Sequence, residues 1–353
     1  VKLFGPNGHK LSDEEECAIE ALMESEEFVY ASPNAIGRAA TLADAQGRYI
    51  ESLKASLPRQ LSLDGLRVVV DCAHGAAYRI APAVFFELGA EVIPLSVSPN
   101  GTNINADCGA MAPQEMAQAV VDHRADIGFA LDGDSDRLVV ATRDGDILPG
   151  EAILGVLARW MQQKGELFDG LATPNVRGGQ IVTTTMASLG LEAFLRKDAI
   201  EVLRAPVGDR YVMESMRAHG CLLGGEPSGH IMLHRHALSA DAVLVGLHLL
   251  ACMMQCGKSI ADLAADYTTF PIYKQNIERT PAVATQLHAL DMVRRVAEFR
   301  ETWQASSSPQ GQILLRESGT EPIVRLMVEH EDDAVAQSAF QELFALLTGE
   351  EAR

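Results

Sequence analysis

Residues 66–71 read Leu-Arg-Val-Val-Val-Asp, apolar at every central position rather than alternating. Such a strand must be covered on both faces, which a parallel sheet flanked by helices provides. A glycine-containing turn, a helical stretch through Val84 to Leu88 and a second strand at 91–95 complete a βαβ unit. Residues 126–131 form another apolar strand, followed by a polar loop at 132–137, a strand at 138–141 and an Asp144-Gly145 turn. Beyond Pro149 the pattern predicts helices near 151–163 and 186–196, with strands near 181–182, 200–204 and 221–224. The last stretch differs: a helix near 285–300, a Ser306-Ser307-Ser308-Pro309 linker, strands at 313–315 and 324–328, and a closing helix over 333–347. At the other end, Ser12-Asp13-Glu14-Glu15 is a capping box that opens a helix carrying Ile19, Leu22 and Met23. A chain of 353 residues is too long for one core. The expected fold class is therefore α/β: consecutive mixed or parallel-sheet domains at 46–146 and 147–261, then a small α+β domain at 262–353, with a short leading segment at 1–45.

Charge narrows the function. Lys and Arg number 29 against 48 Asp and Glu, a net charge of −19 that repels nucleic acid and anionic membrane surfaces. An anionic small-molecule substrate must therefore meet a local basic site. The six cysteines show no C-x-x-C and no metal-finger spacing, which points to reduced thiols and a cytoplasmic protein. Residues 242–254 are the longest apolar stretch, too short for a membrane span and interrupted by His248, so they predict a buried helix.

Three loops carry the chemistry. In Asp132-Gly133-Asp134-Ser135-Asp136-Arg137, an extended chain would turn carboxylates two residues apart to the same side. Clustered carboxylates repel one another unless a cation lies between them, and hard oxygen donors select Mg²⁺ or a similar ion. An EF-hand would need Gly at Arg137 and Glu at Arg143. An aspartyl-nucleophile phosphatase would need Thr or Val where Asp136 stands. The second loop, Gly224-Gly225-Glu226-Pro227-Ser228-Gly229-His230, surrounds a carboxylate, a hydroxyl and an imidazole with glycines, a set suited to a hydroxylated or aminated sugar. Glu226 is a natural partner for an ammonium group. His230, His234 and His236 match no common zinc spacing. In the third loop, Arg316-Glu317-Ser318-Gly319-Thr320-Glu321-Pro322-Ile323-Val324-Arg325, two guanidiniums, two hydroxyls and the backbone around Gly319 form a phosphate cradle.

In this order and spacing, the three loops resemble those of the α-D-phosphohexomutase superfamily. The resemblance spans essentially the whole chain. Residues 99–105 (Pro-Asn-Gly-Thr-Asn-Ile-Asn), Cys108-Gly109, residues 207–212 (Val-Gly-Asp-Arg-Tyr-Val) and the spelling of 316–325 are most similar to the bacterial phosphoglucosamine mutase family. The resemblance implies interconversion of glucosamine 6-phosphate and glucosamine 1-phosphate through a phosphoserine and a hexosamine or hexose 1,6-bisphosphate. It implies that Asp132, Asp134 and Asp136 bind Mg²⁺ and that Arg137 lies beside the phosphoserine phosphate. Glu226 and Ser228 would bind sugar hydroxyls, and His230 would move a proton. Arg316, Ser318, Gly319, Thr320 and Arg325 would hold the phosphate that is not transferred, and Lys2 would stabilise charge or shuttle protons. Glucose and mannose phosphomutases, or a non-catalytic sugar-phosphate-binding chain, are the competing expectations.

Two departures from the family pattern stand out. Ser135 occupies a position where the family usually has glycine, a source of strain if the backbone there needs a positive φ. No Ser-His-Asn-Pro loop, the family's donor, occurs anywhere in the 353 residues. With Val1 in place of an initiating Met, the expectation is a chain that lacks most of a first domain, keeps its tail at 1–45 and is inactive alone.

Overall fold

The computed structural model describes residues 3–25, 29–167, 179–304, 310–318 and 321–349. The apolar run at 66–71 becomes β1 (Arg67–Asp71), with four of its five residues buried. β1 pairs in parallel with β2 (Glu91–Leu95) on one side and β3 (Ile127–Leu131) on the other. β4 (Leu138–Thr142) and β5 (Ile147–Leu148) then continue the sheet antiparallel, giving the order β2-β1-β3-β4-β5. The helix Gln114–Asp122 packs on β1, β3 and β4, and Gly128 in β3 has no room for a side chain because Met116 and Val120 of that helix fill the space. The helix Ala242–Cys256, buried from Ala242 to Met253, packs against β3 and β4.

A second sheet contains β6 (Gln180–Thr184), β7 (Glu201–Ala205), β8 (Leu223–Gly225) and β9 (Ile231–Leu233), in the order β7-β6-β8-β9. β6 and β8 run parallel, whereas β8 and β9 form a tight antiparallel hairpin. Gly224 and Gly225 therefore belong to a strand and not to the loop expected at 224–230. Only 226–230 turn, and Gly225 fits because a side chain there would press on the His230 carbonyl.

The chain divides into two compact units, one of residues 1–185 and 203–264, the other of 186–202 and 265–353. In the second unit, β10 (Ile272–Glu278), β12 (Ile323–His330) and β11 (Gly311–Glu317) form an antiparallel sheet in that order. Its core is built from Trp303, Val324, Leu326, Val328, Leu343 and Leu347. The closing helix Asp333–Thr348 is capped at one end by the Asp332 carboxylate, which accepts from Val335 N, and at the other by Gly349 at φ 76°. The single helix expected near 285–300 is two, Pro281–Leu287 and Leu290–Gln304. Thr280 caps Val283 N and Pro281 fixes the first turn, so the first helix starts earlier than apolar periodicity shows and ends before His288. The Ser306 to Pro309 linker lies outside the described residues. Glu329 is fully buried in this unit. Its carboxylate accepts from Ser188 Oγ, from Leu189 N at 3.1 and 3.2 Å and from Gln312 Nε2 at 2.5 Å, which ties the helix Leu189–Arg196 to the sheet.

Among the described residues no helix is long and apolar enough to cross a membrane. The capping box at Ser12 and Glu15 is formed, and it opens the helix Asp13–Glu24.

Candidate functional site

β3 runs parallel to β1 and delivers Asp132 at its carboxyl end, where open α/β sheets place ligands. The three carboxylates do converge: one oxygen from each of Asp132, Asp134 and Asp136 lies within 4.8 Å of the others. They converge through a turn and not through extended chain. Ser135 sits at φ 64°, and its N–H donates to the Asp132 carbonyl at 3.1 Å, so the backbone folds back between the second and third acids. The positive φ that glycine would adopt freely is therefore present, with a serine carrying it.

Asp132 is 1% exposed and heavily engaged. Its Oδ1 accepts from the N–H groups of Asp136 and Arg137, both at 3.1 Å, and its Oδ2 takes the Arg137 Nε at 2.8 Å. Arg137 Nη1 also reaches Met111 Sδ at 3.4 Å. Asp134 is exposed and Asp136 half-buried. Hard oxygens gathered at this spacing, with one member buried and backed by a guanidinium, suit a divalent cation.

Neighbouring segments fix the loop in place. The Gly133 carbonyl accepts from Ala76 N at 2.8 Å, and Gly75 approaches Gly133 so closely that no side chain fits. Asp71, fully buried at the end of β1, accepts from Ala73 N at 2.9 Å and Gly109 N at 2.7 Å, tying residues 73 and 109 together. A buried acid at a strand end was the available signal, since such a group needs donors close by.

The second loop meets the first within the same unit. Leu138 N donates to the Gly229 carbonyl at 3.1 Å, and Arg137 and His230 form an isolated antiparallel bridge. Gly229, at φ 94°, lies against the Leu138 carbonyl, where a Cβ would sit 2.5 Å away. His230 Nε2 lies 3.2 Å from Asp136 Oδ1, while its Nδ1 lies 3.0 Å from Glu226 Oε2 and 2.9 Å from Ser228 Oγ. Burial opposes charge on this imidazole, but the hydrogen bonds and negative charge of Asp136 and Glu226 outweigh it, and its pKa is pushed up to about 9. The two carboxylates favour the protonated, donating form of His230. Glu226, 7% exposed, also accepts from Gly208 N at 2.9 Å. Residues 209 and 210, next to that glycine, hold the leading segment: Asp209 pairs with Lys10, and Arg210 with Asp13 and with Glu16 at 2.7 Å.

The third loop lies in the second unit. Arg316 on β11 and Arg325 on β12 are directly opposite cross-strand partners, so both guanidiniums rise from one face of the sheet. Like charges so placed repel, and an anion relieves them. Arg325 Nη2 pairs with Glu321 at 2.9 Å and leaves its buried Nε without a partner among the described residues, while Glu317 pairs with Arg279 Nε at 3.0 Å. Ser318 N donates to the Ile323 carbonyl at 2.9 Å and closes the hairpin. Lys2, Gly319 and Thr320 lie outside the described residues.

Comparison with known proteins now decides the family. Residues 47–145 match the model of the phosphoglucomutase/phosphomannomutase alpha/beta/alpha domain II, residues 149–270 that of domain III, and residues 282–346 that of the C-terminal domain. A phosphoglucosamine mutase of Rhodospirillum centenum is 44% identical over 351 residues, covering 98% of this chain and 72% of that protein. The chain belongs to the phosphoglucosamine mutases. The phosphoglucosamine mutase fold is shared with a phosphoglucomutase/phosphomannomutase family protein of Burkholderia thailandensis, at a TM-score of 0.67 and 23% identity over 87% of this chain and 65% of that one. It is shared too with the N-acetylphosphoglucosamine mutase of Aspergillus fumigatus, solved with GlcNAc-6P and magnesium, at 0.61 and 18% over 85% and 70% of the two chains. For a phosphoglucosamine mutase, Asp71 and Ala76, to which the sequence assigns no role in the site, act as a buried strut and through the backbone.

Proposed function

We propose that this chain provides the metal-binding, sugar-binding and distal-phosphate parts of a phosphoglucosamine mutase, which interconverts glucosamine 6-phosphate and glucosamine 1-phosphate. The observation that carries this reading is the carboxylate trio of Asp132, Asp134 and Asp136 abutting the His230 to Glu226 pair in one unit. Mg²⁺ held by the three carboxylates would offset the negative charge of a phosphoryl group, the main requirement of phosphoryl transfer.

The chain's own groups supply positioning and protons. Glu226, fixed by Gly208 N and His230, presents carboxylate oxygens suited to a sugar hydroxyl or the C2 ammonium, and Ser228 adds a hydroxyl. His230, whose ring is held between Asp136 and Glu226, donates a proton toward a departing sugar oxygen. Arg137 lies beside the metal loop, where it would meet the phosphate of a phosphoserine. Arg316 and Arg325, with Ser318, Gly319, Thr320 and their amides, hold the phosphate that stays on the sugar, and Lys2 stabilises charge near the donor. The domain limits 46–146, 147–261 and 262–353 are the working division for these roles, and the proposed setting is the cytoplasmic supply of amino-sugar precursors for peptidoglycan.

The 353 residues contain no Ser-His-Asn-Pro loop to act as phosphoryl donor. By themselves they are therefore a sugar-phosphate-binding chain without turnover. The test is phosphorus NMR of glucosamine 6-phosphate with Mg²⁺ and a trace of hexose 1,6-bisphosphate, run beside calorimetric titration. Binding without glucosamine 1-phosphate formation is expected. Turnover by this chain alone overturns the donor assignment, and tighter binding of glucose or mannose phosphates overturns the glucosamine assignment.

A further inference from the structure

The turn that brings the carboxylates together depends on Ser135 keeping its left-handed conformation, and its own side chain gives no help. Ser135 Oγ is buried with no hydrogen-bond partner among the described residues. Besides the bond from its N–H to the Asp132 carbonyl, the residue is held from outside the loop through its carbonyl, which accepts from Ala242 N at 2.9 Å. Ala242 is the first residue of the helix Ala242–Cys256, so this N–H is one of the helix's unpaired donors.

The residue before it sets where that donor points. Asp241 caps the helix, its Oδ1 accepting from Leu244 N at 2.9 Å, and its Oδ2 accepts from the Tyr49 hydroxyl at 2.5 Å. Tyr49 belongs to the helix Ala45–Ala55, whose Ser56 end also meets His248 Nε2 of the longer helix at 3.2 Å. Burial, then the charge of Asp241, push the tyrosine hydroxyl's pKa up, so it remains a donor across the accessible pH range. An unbroken path runs from Tyr49 through Asp241 and Ala242 to Ser135, all within one unit.

We propose that Asp241, steadied by Tyr49, is a positioning residue for the metal loop: it aims the Ala242 N–H at the Ser135 carbonyl and so keeps the Asp134 and Asp136 carboxylates in register with Asp132. The inference rests on the reading of those three acids as a divalent-cation site. Asp241 ligates nothing itself. It acts on the ligands as the outer partners of metal-bound groups do, and loss of such a partner lowers metal affinity by about 10- to 100-fold.

Mn²⁺ binding followed by electron paramagnetic resonance, and amide exchange of residues 134–137 and 242 in the metal-free protein, test the inference on the full chain. Asp241→Ala should weaken Mn²⁺ binding by about tenfold or more and speed exchange at these amides. Tyr49→Phe should do both to a smaller extent, and Asp241→Asn, which keeps the Oδ1 acceptor for Leu244 N and turns an amide N–H toward the Tyr49 hydroxyl oxygen, should restore most of the affinity. Thr280→Ala removes a helix cap of the same kind in the other unit and should leave Mn²⁺ binding unchanged, which separates positioning from general loss of stability. Unchanged affinity and exchange in both Asp241→Ala and Tyr49→Phe overturn the proposal. Should Asp241→Ala fail to fold, Tyr49→Phe against Asp241→Asn decides it. If the unaltered chain binds no Mn²⁺, the cation reading falls, and the exchange data alone decide whether Asp241 orders the turn.

Discussion

Residues 132–137 bring three carboxylates together and residues 316–325 set two arginines opposite one another, yet the two are built differently. The acidic turn is enclosed: Asp132 is buried, its oxygens are filled by Asp136 N, Arg137 N and Arg137 Nε, and the carbonyls of Gly133 and Ser135 are taken by Ala76 and Ala242. The basic turn is a sheet-edge hairpin with two arginines opposite one another, partly offset by Glu321 and, beside it, by the Arg279 to Glu317 pair. A small hard cation needs ligands fixed within a fraction of an ångström, whereas a phosphate carried by long guanidinium side chains tolerates a looser frame. Rigidity is concentrated where the ligand is least forgiving.

Replacing Asp132 is the most severe way to break this contrast. Asp132→Ala removes a proposed ligand and strands Arg137, and Mn²⁺ binding should fall by more than about 100-fold, beyond the loss of an outer partner. The same titration with inorganic phosphate should hardly change.

Acid should act on the two units unequally. His248, in the helix that supports the metal loop, is buried, and burial, then the charges of His236 and Lys164, lower its pKa to about 3. Its ordinary value is about 6.5, so below that pH the unfolded chain binds the proton and the folded one does not. Stability is therefore lost as pH falls from about 6.5 toward 3, by about 2 kcal/mol between pH 7 and pH 5. Urea melts followed by fluorescence should show this slope, and His248→Gln should remove it.

Smaller effects should come from the basic turn and from Ser135. Arg316→Gln should weaken binding of inorganic phosphate by about tenfold, the loss of one charge-assisted hydrogen bond, while removing cross-strand repulsion. Isothermal titration at two salt concentrations reads this out, and unchanged affinity would move the phosphate site elsewhere. Ser135→Gly should stabilise the protein by about 1 kcal/mol, because it relieves a left-handed residue and removes a buried hydroxyl without a partner. Denaturant midpoints measure this directly.

Most strand positions, the buried helix at 242–256 and the three loops could be read from residue types, because apolar runs, glycines and clustered charges are local signals, whereas the strands Ile147–Leu148, Ile231–Leu233 and Ile272–Glu278 are too short or too polar to show. The three candidate ligand acids were equally visible, since Asp132, Asp134 and Asp136 are neighbours in the chain. What supports them was not. Ala76, Asp71, Tyr49 and Asp241 lie far from residue 132 in sequence and meet its loop only through the sheet and the packed helices. The turn at Ser135 was foreseen as a position where φ would matter, but the convergence of the acids was credited to extended chain, because nothing local distinguishes an extended pentapeptide from a folded one. The division of 285–300 into two helices was missed because Thr280 and Pro281 precede the apolar pattern that drew attention.

Glu329 also sets an order of events on the ribosome. The helix Leu189–Arg196 receives the carboxylate at its first turn from a residue 140 positions later. During synthesis that helix, capped by its own Ser188, emerges long before Glu329 exists. Completion of the second unit therefore waits for strand β12, and a nascent chain stopped before residue 329 would expose Ser188 and Leu189 N without the acceptor that buries them.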